Sequence, residues 1–277
     1  MAWRPPLTLE EWCRLRIVPG RLDVLYHMKR ELRTGERELA LVPFLADRRR
    51  VSVDAGANKG VWTEMMRRYS AHVHAFEPNP KLFRFLRRGV GRGVSCHALA
   101  LSDATGLAEL KVPCGSKGYS NQGASLSAVK IGNGNFRFLE VATTRLDDLE
   151  LGDVGFIKID VEGHEMAVID GASETLRRCR PALIVEIEER HTQIRIEELI
   201  DRTRSHGYDA FALSRGALKR FEELDLEACH RHPATHSDYV FNWIFLPVAN
   251  SLAMQSLWST AADNSAPADK KPLPAIT

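Results

Sequence analysis

Long apolar runs are missing from this 277-residue chain; none approaches the roughly 18 apolar residues that a membrane helix needs. The opening residues, M-A-W-R-P-P-L, lack the apolar segment of a signal peptide. A strong charge of either sign is missing too. A formal net charge of +2 gives no electrostatic footprint for nucleic acid or an anionic membrane, and the run Arg48-Arg49-Arg50 reads as a solvated turn. Cysteine is scarce: Cys13, Cys96, Cys114, Cys179 and Cys229 are odd in number, widely spaced and never C-x-x-C. That pattern fits reduced thiols in a cytoplasmic protein and argues against a disulfide framework. Metal-ligand spacing is absent as well. Cys229-His230 with His232 and His236 matches no zinc pattern, so no metal is expected there.

What is present is ordinary soluble composition, 44% hydrophobic and 27% charged, enough for one large domain or two small ones. The informative stretch is V-S-V-D-A-G-A-N-K-G-V-W-T, from Val51 to Thr63. Val51 and Val53 alternate as in a short strand, Asp54 closes it, Gly56 and Gly60 bracket a tight loop, and a helical pattern follows. Strand, turn and helix N-terminus in that order open a nucleotide-type site in an α/β sheet. Asn58 stands where a G-x-G-x-x-G fingerprint has its middle glycine, and its Cβ keeps the backbone away from a pyrophosphate. Glu77, in A-F-E-P-N-P, lies 23 positions after Asp54, the spacing of an acid that takes a ribose diol. Loop and acid together point to an adenosine cofactor without phosphates, S-adenosyl-L-methionine. An NAD-dependent enzyme would need the pyrophosphate approach that Asn58 opposes.

Thr8 with Glu11 makes a capping box, so a helix is expected from Leu9 to about Arg16, with two more before residue 50. Residues 1–50 read as a helical lead-in, 51–247 as the main domain, and 248–277, rich in Ala, Ser, Asp, Lys and Pro, as a disordered tail. From Val51 onward strand and helix alternate, which specifies a mainly parallel sheet with helices on both faces. Residues 106–147 interrupt the rhythm with two β segments around a Gly-, Ser- and Asn-rich loop, 115–135, long enough to be a lid or disordered.

A second cluster sits in G-F-I-K-I-D-V-E-G-H-E. Lys158, Asp160, Glu162 and His164 share one parity, and in an extended chain would point to one side. Four ionisable groups at a buried strand end are costly without a purpose. Ser102 and Asp103, ending A-L-A-L-S-D, belong to the same sheet edge as Asp54 and Glu77 and could accept from an adenine amino group. Glu186 shares that edge and could face substrate or a surface ion pair.

The ordered set V-D-A-G-A-N-K-G, A-F-E-P-N-P, A-L-S-D, T-T-R-L-D-D-L, I-K-I-D-V-E-G-H-E and R-P-A-L-I-V-E-I resembles the FkbM family of S-adenosylmethionine-dependent methyltransferases, over roughly residues 36–247. The resemblance implies a class I methyltransferase fold (Rossmann-like), seven strands with the last antiparallel. It implies methyl transfer mostly to hydroxyls of sugars, glycans, glycolipids or polyketide-type metabolites. Carried over by position, Asp54, Gly56 and Asn58 form the cofactor loop with Gly60 closing it, Glu77 holds the ribose, and Asp103 lies near adenine. For the base that activates the hydroxyl, His164 is the first choice because imidazole titrates near neutrality, with Asp160 or Glu162 orienting it or acting in its place. A divalent ion held by Asp160, Glu162 and His164 is the alternative within that class. Across classes, the alternative is a non-catalytic cofactor-binding scaffold or sensor.

Overall fold

The computed structural model describes residues 3–115, 118–119, 123–127 and 135–249. The chain opens with α1 (Leu9–Ile17) and α2 (Gly20–Thr34), then a 3-10 turn and α3 (Val42–Leu45). Thr8 caps α1: Thr8 Oγ1 accepts from the Glu11 amide, and Glu11 Oε2 accepts from the Thr8 amide, at 3.2 and 2.8 Å. The alternating part follows as β1 (Val51–Ala55), α4 (Val61–Met66), β2 (His72–Phe76), α5 (Pro80–Gly89), β3 (Val94–His97) and β4 (Ala100–Leu101). Next come β5 (Gly106–Gly115), β6 (Gly118–Tyr119), β7 (Phe136–Thr144), β8 (Val154–Ile159), α6 (Glu165–Asp170), α7 (Ser173–Cys179) and β9 (Ala182–Glu186). The chain then runs through α8 (Glu189–Thr192), α9 (Ile196–Arg204), β10 (Tyr208–Ser214), β11 (Ala217–Arg220) and β12 (Asn242–Pro247).

The main sheet has the order β11-β10-β12-β9-β8-β1-β2-β3. Strands β3, β2, β1, β8 and β9 pair in parallel, and β12 enters antiparallel between β9 and β10. The parallel core and the antiparallel last strand match the expectation of an α/β methyltransferase fold. The sheet has eight strands instead of seven because β10 doubles back as β11 through Arg215-Gly216, both at positive φ (50° and 82°), a turn whose twist suits a two-residue hairpin. The expected third strand, 94–101, is divided: its second half, β4, leaves the main sheet and joins β7, β5 and β6 in a small second sheet. Of the expected loop 115–135, residues 116–117, 120–122 and 128–134 lie outside the described residues, as does the tail from 250 onward.

Both faces of the main sheet are covered. On one, Val53, Ala55, Ile157 and Ile159 pack with Val168, Leu176, Leu199 and Ile200 from α6, α7 and α9. On the other, Phe156, Ile184, Phe211 and Ile244 pack with Met28, Leu39, Leu41 and Val42 from the N-terminal segment and Met65 and Met66 from α4. Successive side chains of each strand go to opposite faces, and because both faces are covered β8 and β12 are buried along their whole length. A buried ion pair, Lys81 Nζ to Glu11 at 3.1 Å, ties α1 to α5. The N-terminal helices therefore wall one side of the sheet edge at which β1, β2 and β8 end.

Candidate active site

The turn after β1 is shaped by what cannot fit there. Gly56 has φ +81°, and a Cβ on it would stand 1.8 Å from the Asp160 carbonyl oxygen. The loop therefore passes directly over the end of β8, where the Asp160 amide donates to the Ala55 carbonyl at 3.0 Å. Asn58 is also left-handed (φ 50°), a conformation its short polar side chain tolerates better than most. Gly60, φ +90°, is the N-cap from which α4 starts.

Asp54, at the end of β1, is fully buried. Its Oδ2 accepts from Thr63 Oγ1 at 2.5 Å, while its Oδ1 has no partner. Burial pushes its carboxyl up to about 6, with Lys158 opposing. Glu77 is 5% exposed and receives two backbone donors, Asn58 N–H on Oε2 and Asn79 N–H on Oε1, both at 2.8 Å. The same acid thus fixes the β1 turn and the β2 turn to each other, leaving one lone pair per oxygen open. Burial pushes it up to about 7.

The expected single-sided row from Lys158 to His164 does not form. Strand β8 stops at Ile159, and Glu162 turns left-handed at φ 60°, so the two-residue alternation fails beyond Asp160. Lys158 points into the protein, 1% exposed, with Nζ 2.6 Å from Asp160 Oδ2 and 5.5 Å from the Trp62 ring centroid. Asp160, Asp54, Glu36 and Glu186 hold the ammonium protonated, raising its pKa despite burial. Glu162 serves a neighbouring segment: its Oε1 accepts from Gly123 N–H at 2.9 Å and its carbonyl from Ser125 Oγ at 2.5 Å. His164 departs from the expected trio. Its Nε2 meets Ser102 Oγ at 2.9 Å, and Ser102 in turn donates to Asp103 Oδ1 at 3.1 Å. Burial lowers its pKa, against a weaker opposite pull from Asp103. The imidazole therefore belongs with Ser102 and Asp103, at the expected adenine end.

Three spaces surround the Asp54–Gly60 loop. A narrow one of about 70 Å³ is bounded by Phe76, Glu77, Leu82, Leu101 and His164, with Ala124 and Leu126 as a roof. A second, about 430 Å³, lies against Trp62, Lys59, Lys158 and the α2 residues His27 and Arg30. The third is a broad cleft of about 1350 Å³, walled by Glu186 to His191 on one side and by His230 to Phe241 on the other. Asn58 and Asp160 line all three.

Several cleft residues carry no local sequence signal. Glu188 accepts from the Tyr239 hydroxyl and from Arg190 at 2.6 Å, and lies 3.4 Å from His191 Nε2. Burial and the Glu188 carboxylate raise the Tyr239 hydroxyl above its ordinary value. Arg231 is held by Glu189, Glu197 and Glu227 at 2.7 to 2.9 Å. His230 lies against the Val240 carbonyl through Nδ1 at 2.7 Å, stacked on Tyr239. Among the described residues, no group of three His, Cys, Asp or Glu side chains is placed to hold a metal ion.

The FkbM methyltransferase domain matches residues 54–210. A solved FkbM methyltransferase from Methylobacillus flagellatus KT is 15% identical, with 82% of this chain and 54% of that chain covered, at a TM-score of 0.42. The chain thus spans about half the length of that protein. A putative methyltransferase from Streptococcus mutans in complex with SAH is 8% identical over 77% of this chain and 97% of that one (TM-score 0.44). An rRNA methylase from Streptococcus thermophilus is 10% identical over 76% and 94% (TM-score 0.44). No curated protein matches the chain. With more than half of its residues covered by one domain family, in the segment that carries the loop, Glu77 and the Asp160 turn, the chain belongs to the FkbM methyltransferase family.

Proposed function

We propose that this chain moves a methyl group from S-adenosylmethionine to a hydroxyl oxygen of a sugar, a glycan or glycolipid, or a secondary metabolite. The observation that carries the reading is the shared wall. Asn58 and Asp160, at the cofactor loop, also line a cleft of about 1350 Å³, large enough for a glycan-sized acceptor.

The donor set fits the cofactor. Asp54 Oδ1, buried and unpartnered, is a ready acceptor for an ammonium or an ordered water. Glu77 keeps free lone pairs for a ribose diol, and Asn58 offers an amide. Gly56 and Gly60 give the loop its path, Phe76, Leu82 and Leu101 offer an apolar slot for a base, and His164 lines it with Ser102 and Asp103 hydrogen-bonded behind the imidazole. The slot is small, about 70 Å³, so the roof at Ala124 and Leu126, latched by Glu162, has to lift to admit a nucleoside. When bound, the cofactor supplies an activated methyl on a positively charged sulfonium.

The remaining work falls to the chain. Aligning the acceptor with the methyl contributes through proximity. Removing the hydroxyl proton contributes about 10²–10⁴-fold. The cleft's two arginines, Arg190 and Arg231, are both held by glutamates, which leaves neither guanidinium free for a phosphate and favours a neutral acceptor over nucleic acid. The free cysteines suit a reducing cytoplasm, and no helix among the described residues is long and apolar enough to cross a membrane. Residues 51–247 form the methyltransferase domain in this reading, with 1–50 as a lead-in that lends it one wall. Incubation with methyl-labelled S-adenosylmethionine and a panel of neutral hydroxylated glycans and metabolites tests it. Label retained in an acceptor through a base-stable ether supports the proposal; tight binding with no transfer to any acceptor favours a scaffold or sensor.

A further inference from the structure

The base for the hydroxyl needs a place on the cleft beside the cofactor loop. Glu162, which lines the cleft and the narrow slot, spends Oε1 on the Gly123 amide at 2.9 Å and lies 3.9 Å from His191. Glu36, Asn58 and Asp160 line both the cavity beside Trp62 and the broad cleft. Asn58 is an amide with no useful basicity. Asp160 is committed to Lys158, its Oδ2 lying 2.6 Å from the ammonium nitrogen. Glu36 differs from both: its donors are neutral, the Trp62 indole N–H at 3.0 Å and the Asn242 amide N–H at 3.4 Å.

We propose that Glu36 is the group that takes the proton from the acceptor hydroxyl, an assignment that rests on the O-methyltransferase reading above. The step balances within the site. The acceptor oxygen forms its bond to the methyl carbon, the bond from methyl to sulfur breaks with its electron pair left on sulfur, and the hydroxyl proton passes to the Glu36 carboxylate. One negative carboxylate and one positive sulfonium become a neutral acid and a neutral thioether. Charged groups face Glu36 from each neighbouring element: Lys158 and Asp160 from the β8 end, Glu186 from β9, and Glu38 on its own segment. Burial raises the Glu36 carboxyl above its ordinary value, Lys158 opposing and Asp160 adding, which moves it toward the basicity that serves near neutral pH. Glu36 and Asn242 both lie outside residues 54–210, so the FkbM domain match does not contain this group.

The test needs no acceptor. Sinefungin carries an amino group where the cofactor carries its methyl, so its affinity relative to S-adenosylhomocysteine reads the carboxylates at the transfer point. Calorimetry on the full chain should show a preference for sinefungin that falls about tenfold in Glu36→Gln, equivalent to about 1.4 kcal/mol. S-adenosylhomocysteine affinity should stay within about twofold, and Glu174→Gln, exposed on α7 and lining none of the three spaces, should change neither. An unchanged preference in a folded Glu36→Gln protein overturns the assignment alone. Failure of the wild-type protein to bind either compound overturns the cofactor reading, and this inference with it. The wild-type protein supplies a second readout should the variant not fold. Its sinefungin preference should rise with pH above the ordinary carboxylate range, as a carboxyl raised by burial ionises, and a flat preference overturns the proposal.

Discussion

Gly56→Ala is the sharpest perturbation of the loop, because its cost separates into two parts that a second glycine can isolate. The added Cβ would lie 1.8 Å from the Asp160 carbonyl oxygen, whereas Cβ atoms essentially never approach within 3.0 Å, so loop and β8 end must part by more than 1 Å. That movement strains the hydrogen bond from Asp160 N–H to the Ala55 carbonyl. Gly56 also sits at φ +81°, where any side chain costs about 1–2 kcal/mol. Gly93 has nearly the same φ, +84°, but nothing within 4 Å of its would-be Cβ. Gly93→Ala should therefore lose only the conformational part, about 1–2 kcal/mol. Gly56→Ala should lose that plus about 1–3 kcal/mol for overpacking. Urea denaturation measures the stabilities, and calorimetry with S-adenosylhomocysteine should show at least about a tenfold affinity loss for Gly56→Ala alone. Equal stability losses, with unchanged affinity in both, would refute the close-approach argument.

Lys158→Met leaves Asp54, Asp160, Glu36 and Glu186 without their buried cation, so stability at pH 8 should fall by about 3–5 kcal/mol. The deficit should shrink toward pH 5 as Asp54, whose carboxyl lies at about 6, takes up a proton, which a pair of denaturation series would measure. His74, packed between His72 and His97, has its pKa lowered to about 4 by burial, against an ordinary 6.5. The unfolded chain then binds the proton first, so this contribution is complete above pH 6.5 and is lost as pH falls toward about 4. His74→Asn should flatten that part of the pH–stability curve. For Glu77, the carboxyl at about 7 means that cofactor affinity should rise as pH passes through neutrality and one proton is released. Glu77→Gln should abolish that pH dependence and weaken binding at pH 8 by about 10–100-fold, one charge-assisted hydrogen bond or slightly more.

The parts of the site that the sequence made legible are those built from neighbours in the chain. Asp54, Gly56, Asn58 and Gly60 declare a strand, a tight turn and a helix start within seven residues, and Glu77 follows at a spacing set by one strand–helix–strand unit. The sheet was legible for the same reason, since alternation of strand and helix dictates its parallel core. Two kinds of feature were not. Two consecutive left-handed residues, Glu162 and Gly163, end the alternation that grouped His164 with Asp160, and place the imidazole against Ser102 instead. Glu36 meets Asn242 across 206 positions and Trp62 across 26, contacts that no local period encodes. The cleft acids and Tyr239 likewise converge only because β12 inserts beside β9. The β10–β11 hairpin escaped because its second strand is four half-buried residues without a strong apolar pattern.

The central claim is that the Asp54–Gly60 loop and Glu77 form a site for S-adenosylmethionine. Isothermal titration of the purified full chain with S-adenosylmethionine and, separately, with NAD tests it most directly, with Glu77→Ala measured alongside. S-adenosylmethionine alone should bind, in the micromolar range, and its binding should be lost or strongly weakened in the variant. Heat from NAD, or none from S-adenosylmethionine in a folded protein, would contradict it.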